Sequence, residues 1–207
     1  MTSATPRSSF NNSLKGMGLI AAMAMPVLYF ATQLAAAPFY PGYSFSRDGA
    51  SMLGTRLSLQ PWIFNLGAIL TGVTALLGAI GLILAFRTAA HFALAWLIGL
   101  CVVATGVMSI KAGFFPMPDP RHASWGFLVY FTIITPLLLL LGLWKQRDAN
   151  AARIYLAASI ALILLLFPFM FGMVSVAWLE PGALQRLFAI ATFVPVGVVG
   201  YFFKREA

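Results

Sequence analysis

The fold is decided by stretches such as residues 61–86, which read PWIFNLGAILTGVTALLGAIGLILAF and contain no charged side chain. A transmembrane helix needs about 20 consecutive, mostly apolar residues to cross the hydrocarbon core of a bilayer. A water-soluble helix normally carries a polar face as well, and this stretch has none. Residues 61–86 therefore predict a membrane-spanning helix.

Five more windows of the same character surround it, at residues 16–37, 89–111, 124–145, 152–174 and 182–203. The chain is 61% hydrophobic and only 9% charged, which leaves too little polar material to cover a soluble protein. We predict an all-α integral membrane bundle of six transmembrane helices over residues 16–203. A flexible cytoplasmic tail is expected at 1–15, a cytoplasmic tail at 204–207, and a long outer loop near 38–60.

The basic residues indicate how the bundle is oriented. With six spans both termini lie on one side, which collects eight Lys and Arg residues, whereas the other side has five. Because Lys and Arg are retained on the cytoplasmic side, both termini are predicted to be cytoplasmic in a cell inner membrane. The net charge of +8 is distributed singly between the spans, so we expect no nucleic-acid partner. The two groups are Arg7, Lys15, Arg87, Lys145, Arg147, Arg153, Lys204 and Arg205 against Arg47, Arg56, Lys111, Arg121 and Arg186.

The cysteine and histidine content argues against cofactor chemistry. The single Cys101 excludes an internal disulfide and a Cys-X-X-Cys centre. His91 and His122 are predicted on opposite sides of the membrane, so they are poorly placed for a shared haem or metal site. We expect no cofactor and no metal.

Three of the five carboxylates lie in the predicted outer loops together with Arg47, Arg121 and His122, and this group is the best functional clue in the sequence. Asp48, Asp119 and His122 are candidate acid/base groups, since a carboxylate can orient an imidazole for proton transfer. Arg47 and Arg121 could grip a carboxylate or phosphate in two-point fashion. The expected ligand-binding set is Arg47, Asp48, Ser51, Asp119, Arg121 and His122.

Structural roles are the alternative for the same residues. Asp119 and Glu180 each precede a proline, which is the pattern of a carboxylate that caps a helix whose first residue is Pro. Arg47 and Asp48 could pair with other loop charges, and His122 could be an interfacial residue at a helix start. Small residues in the second span, among them Gly72 and Gly78, favour close helix packing inside the bundle or, alternatively, a dimer seam.

Two outer segments resemble a known family. The run Tyr40-Pro41-Gly42-Tyr43-Ser44-Phe45-Ser46-Arg47-Asp48, followed by Ser51-Met52-Leu53-Gly54, is similar to the six-span prokaryotic membrane family called domain of unknown function 998. Phe115-Pro116-Met117-Pro118-Asp119 and then His122 look like the second characteristic loop of that family. The chain departs from the family at Met52, where members commonly have an acidic residue. The resemblance implies the architecture and a shared outer site around Arg47, Asp48, Asp119 and His122, and it implies no reaction.

Three functions fit these observations. The first is binding or handling of an amphiphilic small molecule or lipid at a polar outer mouth, with its tail against apolar helices. The second is a membrane-embedded acid/base enzyme, a hydrolase or transferase acting on a lipid-like substrate. The third is a noncatalytic subunit that joins a partner or a second copy through its helices. Membrane lipids are expected neighbours in all three.

Overall fold

The computed structural model of the chain describes residues 6–89, 92–176 and 178–206. These residues form α-helices, short 3-10 helices and connecting turns, and none of them lies in a β-strand. Six helical segments are long and apolar enough to span a membrane. The predicted all-α bundle of six spans is confirmed.

The described residues form seven α-helices and three short 3-10 helices. The α-helices are α1 (Pro6–Ala36), α2 (Pro61–Ala89), α3 (Phe92–Phe114), α4 (Pro120–Ala123), α5 (Val129–Leu143), α6 (Asn150–Met170) and α7 (Pro181–Arg205). The 3-10 helices are Ala37–Phe39, Ala50–Gly54 and Gly126–Leu128.

Two segments differ in detail from the sequence expectations. Residues 6–15, expected to belong to a tail, continue α1 as regular helix. The fourth span is not one helix that begins near residue 124: it starts at Pro120 and combines α4, a 3-10 turn and α5. Trp125 interrupts the span, because its backbone has a left-handed conformation with φ of 62°. A right-handed α-helix cannot continue through a residue in this conformation.

Small residues bring the first three helices into close contact. A Cβ atom added at Gly18 of α1 would meet the backbone of Gly81 on α2, and one added at Gly72 of α2 would meet the carbonyl of Gly106 on α3. Gly78 faces Ala22 in the same way. The small-residue positions of α2 are therefore used for packing inside the bundle.

The connections define two ends of the bundle. The end formed by residues 37–60, 115–128 and 171–180 is called the loop end here, and the end that carries the chain termini is called the terminal end. The largest buried apolar cluster, with Leu19, Phe86 and Leu139, includes residues of all six long helices, α1, α2, α3, α5, α6 and α7. A smaller one at the loop end packs Ala50 and Leu53 against Ala36 and Phe64, which fixes the first loop over the bundle.

Candidate functional site

The first loop is held onto the start of α7 by Arg186. The Arg186 guanidinium donates from Nη1 to the carbonyls of Phe45 (2.6 Å), Asp48 (3.0 Å) and Gly182 (2.9 Å), and from Nη2 to the Tyr43 hydroxyl. Gly182 allows the close approach, because a Cβ atom there would collide with the carbonyl oxygens of the loop. Burial raises the pKa of the Tyr43 hydroxyl, and Arg186 acts in the opposite direction, so Tyr43 stays neutral as it accepts from Arg186.

Arg47 and Asp48 pair with one another inside the same loop. Arg47 donates from Nε and Nη2 to the two Asp48 carboxylate oxygens (3.0 and 2.7 Å) and from Nη2 to the Gly42 carbonyl (2.7 Å). The Ser44 backbone N–H also donates to Asp48 (2.8 Å). The Arg47 side chain and the Ser44 amide hold the pKa of Asp48 below its usual range. The carboxylate is thus a fixed acceptor that organises the turn.

Asp119 caps α4, as the Asp-Pro pattern indicated. Its Oδ1 accepts from the backbone N–H of Arg121 (2.8 Å), and its two oxygens also accept from the Arg121 side chain (3.0 and 2.7 Å). These contacts with Arg121 lower the pKa of Asp119 to about 2. The guanidinium of Arg121 lies 4.1 Å from the centre of the Phe115 ring. Asp119 and Arg121 therefore form a local cap.

Glu180 does not act in the same way. It occupies the position before Pro181 at the start of α7, but its side chain makes no capping hydrogen bond. The interpretation of Glu180 as a side-chain cap is wrong. The first loop comes down on this helix start instead, and the carbonyl of Ser46 accepts from the Ala183 N–H (2.7 Å).

His122 connects the two loops that the sequence singled out. Its Nδ1 lies 2.8 Å from the carbonyl oxygen of Phe115, and its Nε2 lies 3.2 Å from Oγ of Ser51. A carbonyl oxygen only accepts hydrogen bonds, so Nδ1 carries the hydrogen. In the neutral imidazole Nε2 is then an acceptor, and the Ser51 hydroxyl donates to it. The contact joins residues 71 positions apart in the chain.

Ser51 and His122 face a cavity of about 330 Å³ between the loops and the helices. Its volume is at the lower end of the range of roughly 300–1,000 Å³ found for small-molecule sites. Lys111 and Gln185 contribute further polar side chains, and helices α1, α2, α3, α5 and α7 supply the walls. Residues that line it include Tyr29, Phe64, Ala68, Met108, Ala112 and Phe193.

A second cavity of about 150 Å³ adjoins the first. The two share Tyr29, Met108, Val129, Gln185 and Phe193 in their walls, and the remaining lining is largely apolar. Its polar hydroxyls are already engaged: Thr105 and Thr132 hydrogen bond across α3 and α5 (2.9 Å), and Thr192 donates to the Phe188 carbonyl (2.9 Å). Together the cavities pass from a polar opening to an apolar interior.

The predicted ligand-binding set separates into four places. Ser51 and His122 share the first cavity, which is called the polar cavity here because Lys111 and Gln185 also line it. Asp119 lies with Arg56 in a different depression, and Arg121 lines a third, shallow one beside Trp125. Arg47 and Asp48 lie in the loop over α7, where they pair with each other.

Lys111, Gln185 and Arg186 are the residues that the sequence did not single out for the site. Lys111 Nζ donates to the Arg121 carbonyl (2.9 Å) and to Ser124 Oγ (3.2 Å) while it lines the polar cavity. Gln185 Oε1 accepts from the Ala50 N–H (2.7 Å), next to Ser51. The available signal was spacing: Gly182 and Arg186 are one helical turn apart at the start of α7, which suits a close backbone approach beside a donor.

Among the described residues no group of three or more His, Cys, Asp or Glu side chains is arranged to hold a metal ion.

Comparison with known proteins gives one match. No curated protein and no solved structure matches the chain. A family model described as "Protein of unknown function (DUF998)" matches residues 23–201, which include all of the loop-end residues described above. The chain belongs to this family of unknown function.

Proposed function

We propose that the protein binds an amphiphilic small molecule or lipid in the two adjoining cavities at the loop end. The observation that carries this proposal is the change from a polar opening with Ser51, Lys111 and His122 to an apolar interior with Met170 and Phe188. An amphiphile has the same division. Its headgroup would meet the polar side chains and its tail the apolar ones.

The charge at the opening favours an anionic headgroup. Among the described residues the Lys111 ammonium donates two hydrogen bonds, and an ammonium has three N–H donors. One donor therefore remains for a phosphate or carboxylate. Arg47 and Arg121, the cations first expected in this role, are each paired with a neighbouring aspartate.

The apolar cavity suits a flexible tail. Met108 and Met170 lie in its wall beside aromatic rings, and methionine side chains adapt to irregular apolar ligands. The threonine hydroxyls there bond to backbone carbonyls or to each other, so a hydrocarbon chain would leave these hydroxyls paired. This avoids the main penalty for filling a cavity with apolar atoms.

The test is to purify the protein in native lipid particles and to identify co-purified small molecules by mass spectrometry. We expect one defined amphiphile to be enriched over bulk lipid in the original protein. Lys111→Met is expected to lose at least half of this enrichment, and Ala189→Leu, which narrows the apolar cavity, is expected to lose it too. Lys145→Met removes a lysine at the terminal end and should retain the ligand.

Asp48→Asn and Asp119→Asn serve as further controls, because neither carboxylate lines the cavity. Both variants should carry as much of the amphiphile as the original protein. If all of these proteins carry the same bulk lipids in the same proportions, the binding proposal is wrong.

The structure gives less support to the acid/base enzyme that uses Asp48 and Asp119 and to the noncatalytic subunit that joins a partner through its second span. An acid/base enzyme that uses Asp48 and Asp119 would need carboxylates at the cavity, whereas both are held by adjacent arginines elsewhere. A subunit that joins a partner along Gly72 and Gly78 would need those positions free, and α3 and α1 already cover them.

A further inference from the structure

We propose that Ser51 is a nucleophile and His122 its general base, and that together they cleave or transfer an ester-linked acyl group of an amphiphile in the polar cavity. This inference rests on the proposed function for its substrate. It assigns the chemistry to a serine and a histidine in contact, and it gives no role to Asp48 or Asp119.

The orientation of the imidazole is that of a base. The Phe115 carbonyl accepts from Nδ1, which leaves the lone pair of Nε2 directed at Ser51 Oγ. A nucleophile within hydrogen-bond reach of a base that a third group orients is the recurring arrangement in acyl transfer. Here the third group is a backbone carbonyl in place of a carboxylate.

The other cavity serines lack this arrangement. Ser109 Oγ donates to the Thr105 carbonyl (3.1 Å), and Ser124 Oγ donates to the Arg121 carbonyl (2.7 Å). Of these three serines in the cavity wall, Ser51 is the one whose hydroxyl meets an imidazole. A purely structural tie between the loops would not require that contact to open onto a cavity.

The reaction balances with an ester and water alone. Ser51 Oγ attacks the carbonyl carbon as its proton passes to His122 Nε2, and the carbonyl π electrons move onto oxygen. The tetrahedral species collapses with loss of the alcohol, which takes the proton from His122, and the acyl group stays on Ser51. Water then attacks the acyl-serine with His122 again as base, which releases the carboxylic acid and restores the serine. An alcohol in place of water gives transfer.

The cavity supplies the remaining requirements. Lys111 lines it and provides positive charge for the oxyanion that develops on the carbonyl oxygen. The adjoining apolar cavity would take the acyl chain, and the leaving alcohol would face the polar opening. The substrate class is therefore a carboxylic ester with a hydrocarbon acyl chain and a polar alcohol.

The experiment uses a long-chain alkyl fluorophosphonate on the full-length protein in native lipid particles. This probe phosphonylates an activated serine and releases fluoride, and peptide mass spectrometry locates the adduct. We expect the adduct on Ser51, its loss in Ser51→Ala, and unchanged labelling in Ser159→Ala, because Ser159 lies on α6 and lines neither cavity. His122→Gln is expected to slow labelling roughly a hundredfold, as the loss of a general base does.

His122→Gln also separates a base from a structural tie. A glutamine amide can donate to the Phe115 carbonyl and accept from Ser51, but it cannot take up the proton. Equal labelling in His122→Gln and the original protein would overturn the assignment, and so would an adduct on another residue or no adduct. Where a variant does not fold, the site of the adduct in the original protein still decides.

The outcomes distinguish this inference from the proposed function. If the protein retains an enriched amphiphile but forms no adduct on Ser51, the proposed binding function is supported and the assignment of Ser51 as a nucleophile is wrong. If Ser51 is labelled but the protein carries bulk lipid alone, the assignment of Ser51 as a nucleophile is supported and the proposal of a tightly bound ligand is wrong.

Discussion

A single guanidinium, that of Arg186, joins the first loop to the last helix. It donates to three backbone carbonyls and to the Tyr43 hydroxyl, and its plane lies near the rings of Tyr43 and Phe45. The planar fork of arginine has five donors, whereas lysine has a single compact ammonium. The loop that carries Ser51 therefore depends on an arginine at this position.

We expect Arg186→Lys to loosen the first loop and Arg186→Met to loosen it further. The lysine ammonium cannot reach all four acceptors, and methionine removes the guanidinium donors altogether. Limited proteolysis within residues 41–49 should be at least several-fold faster in Arg186→Met than in the original protein. Arg56→Met removes an exposed cation from the same long loop, outside residues 41–49, and should have a smaller effect. Equal proteolysis rates for Arg186→Met and Arg56→Met would contradict this role.

Asp119 predicts a response to acid at the start of α4. Its pKa of about 2 lies below the ordinary 3.8, so the charged form is favoured by folding. The stability that it contributes is present above the ordinary value and is lost as the pH falls through about 2. Amide hydrogen exchange at Arg121 should accelerate, relative to its intrinsic rate, between about pH 4 and pH 2. In Asp119→Asn, where the side chain cannot titrate, this acceleration should be absent.

Sequence patterns identified some of these residue roles and missed others for physical reasons. The Asp-Pro pattern at residues 119–120 encodes a local cap, because donor and acceptor are two residues apart. Glu180 has the same pattern, yet the loop carbonyls of residues 45–48 compete for the start of α7. The contacts of His122 with Ser51 and of Arg186 with Tyr43 depend on folding across 71 and 143 positions. No local pattern reports such pairs.

At the level of the helices, glycine positions decide how closely α1, α2 and α3 approach. Lipid is as apolar as leucine, so the association of helices in a bilayer depends on close packing more than on burial. Gly18 on α1 and Gly81 on α2 face each other so closely that neither has room for a Cβ atom without movement of the backbone. The pair fixes the α1 and α2 contact.

Two glycines on α1 provide a matched test of this packing. A Cβ atom at Gly18 would meet the Gly81 backbone, whereas one at Gly16 meets nothing within 4 Å. We expect Gly18→Ala to destabilise the bundle by about 1–3 kcal/mol, the usual cost of overpacking. Gly16→Ala should be neutral or slightly stabilising, because alanine is the better helix former. Thermal unfolding in detergent micelles measures both, and similar midpoints would contradict the close contact.

For the whole molecule, the six spans followed from the sequence because hydrophobic length is a property of each segment alone. The site did not follow in the same way. The sequence groups Ser51 and His122 with the loop residues Arg47, Asp48, Asp119 and Arg121. In the structure Arg47 pairs with Asp48 and Arg121 pairs with Asp119. Ser51 and His122 are the two members of the group that line the polar cavity. The sequence identifies which polar residues lie in the loops, and packing selects which of them face a ligand.

The orientation of the bundle in the membrane is the remaining prediction at this scale. More Lys and Arg residues lie at the terminal end than at the loop end, which predicts cytoplasmic termini and an outward cavity. The lone Cys101 is buried, so Cys101→Ala gives a background without thiols. In it Leu57→Cys marks the loop end and Ala151→Cys the terminal end, both at exposed positions.

A membrane-impermeant maleimide on intact cells that express these variants reads the orientation directly. Leu57→Cys should be labelled in intact cells, and Ala151→Cys should be labelled only after the membrane is permeabilised. The reverse pattern would place the termini outside and the cavity on the cytoplasmic side. The amphiphile would then have to be one present at the cytoplasmic face, so this experiment also decides which pool of lipid esters to offer to Ser51.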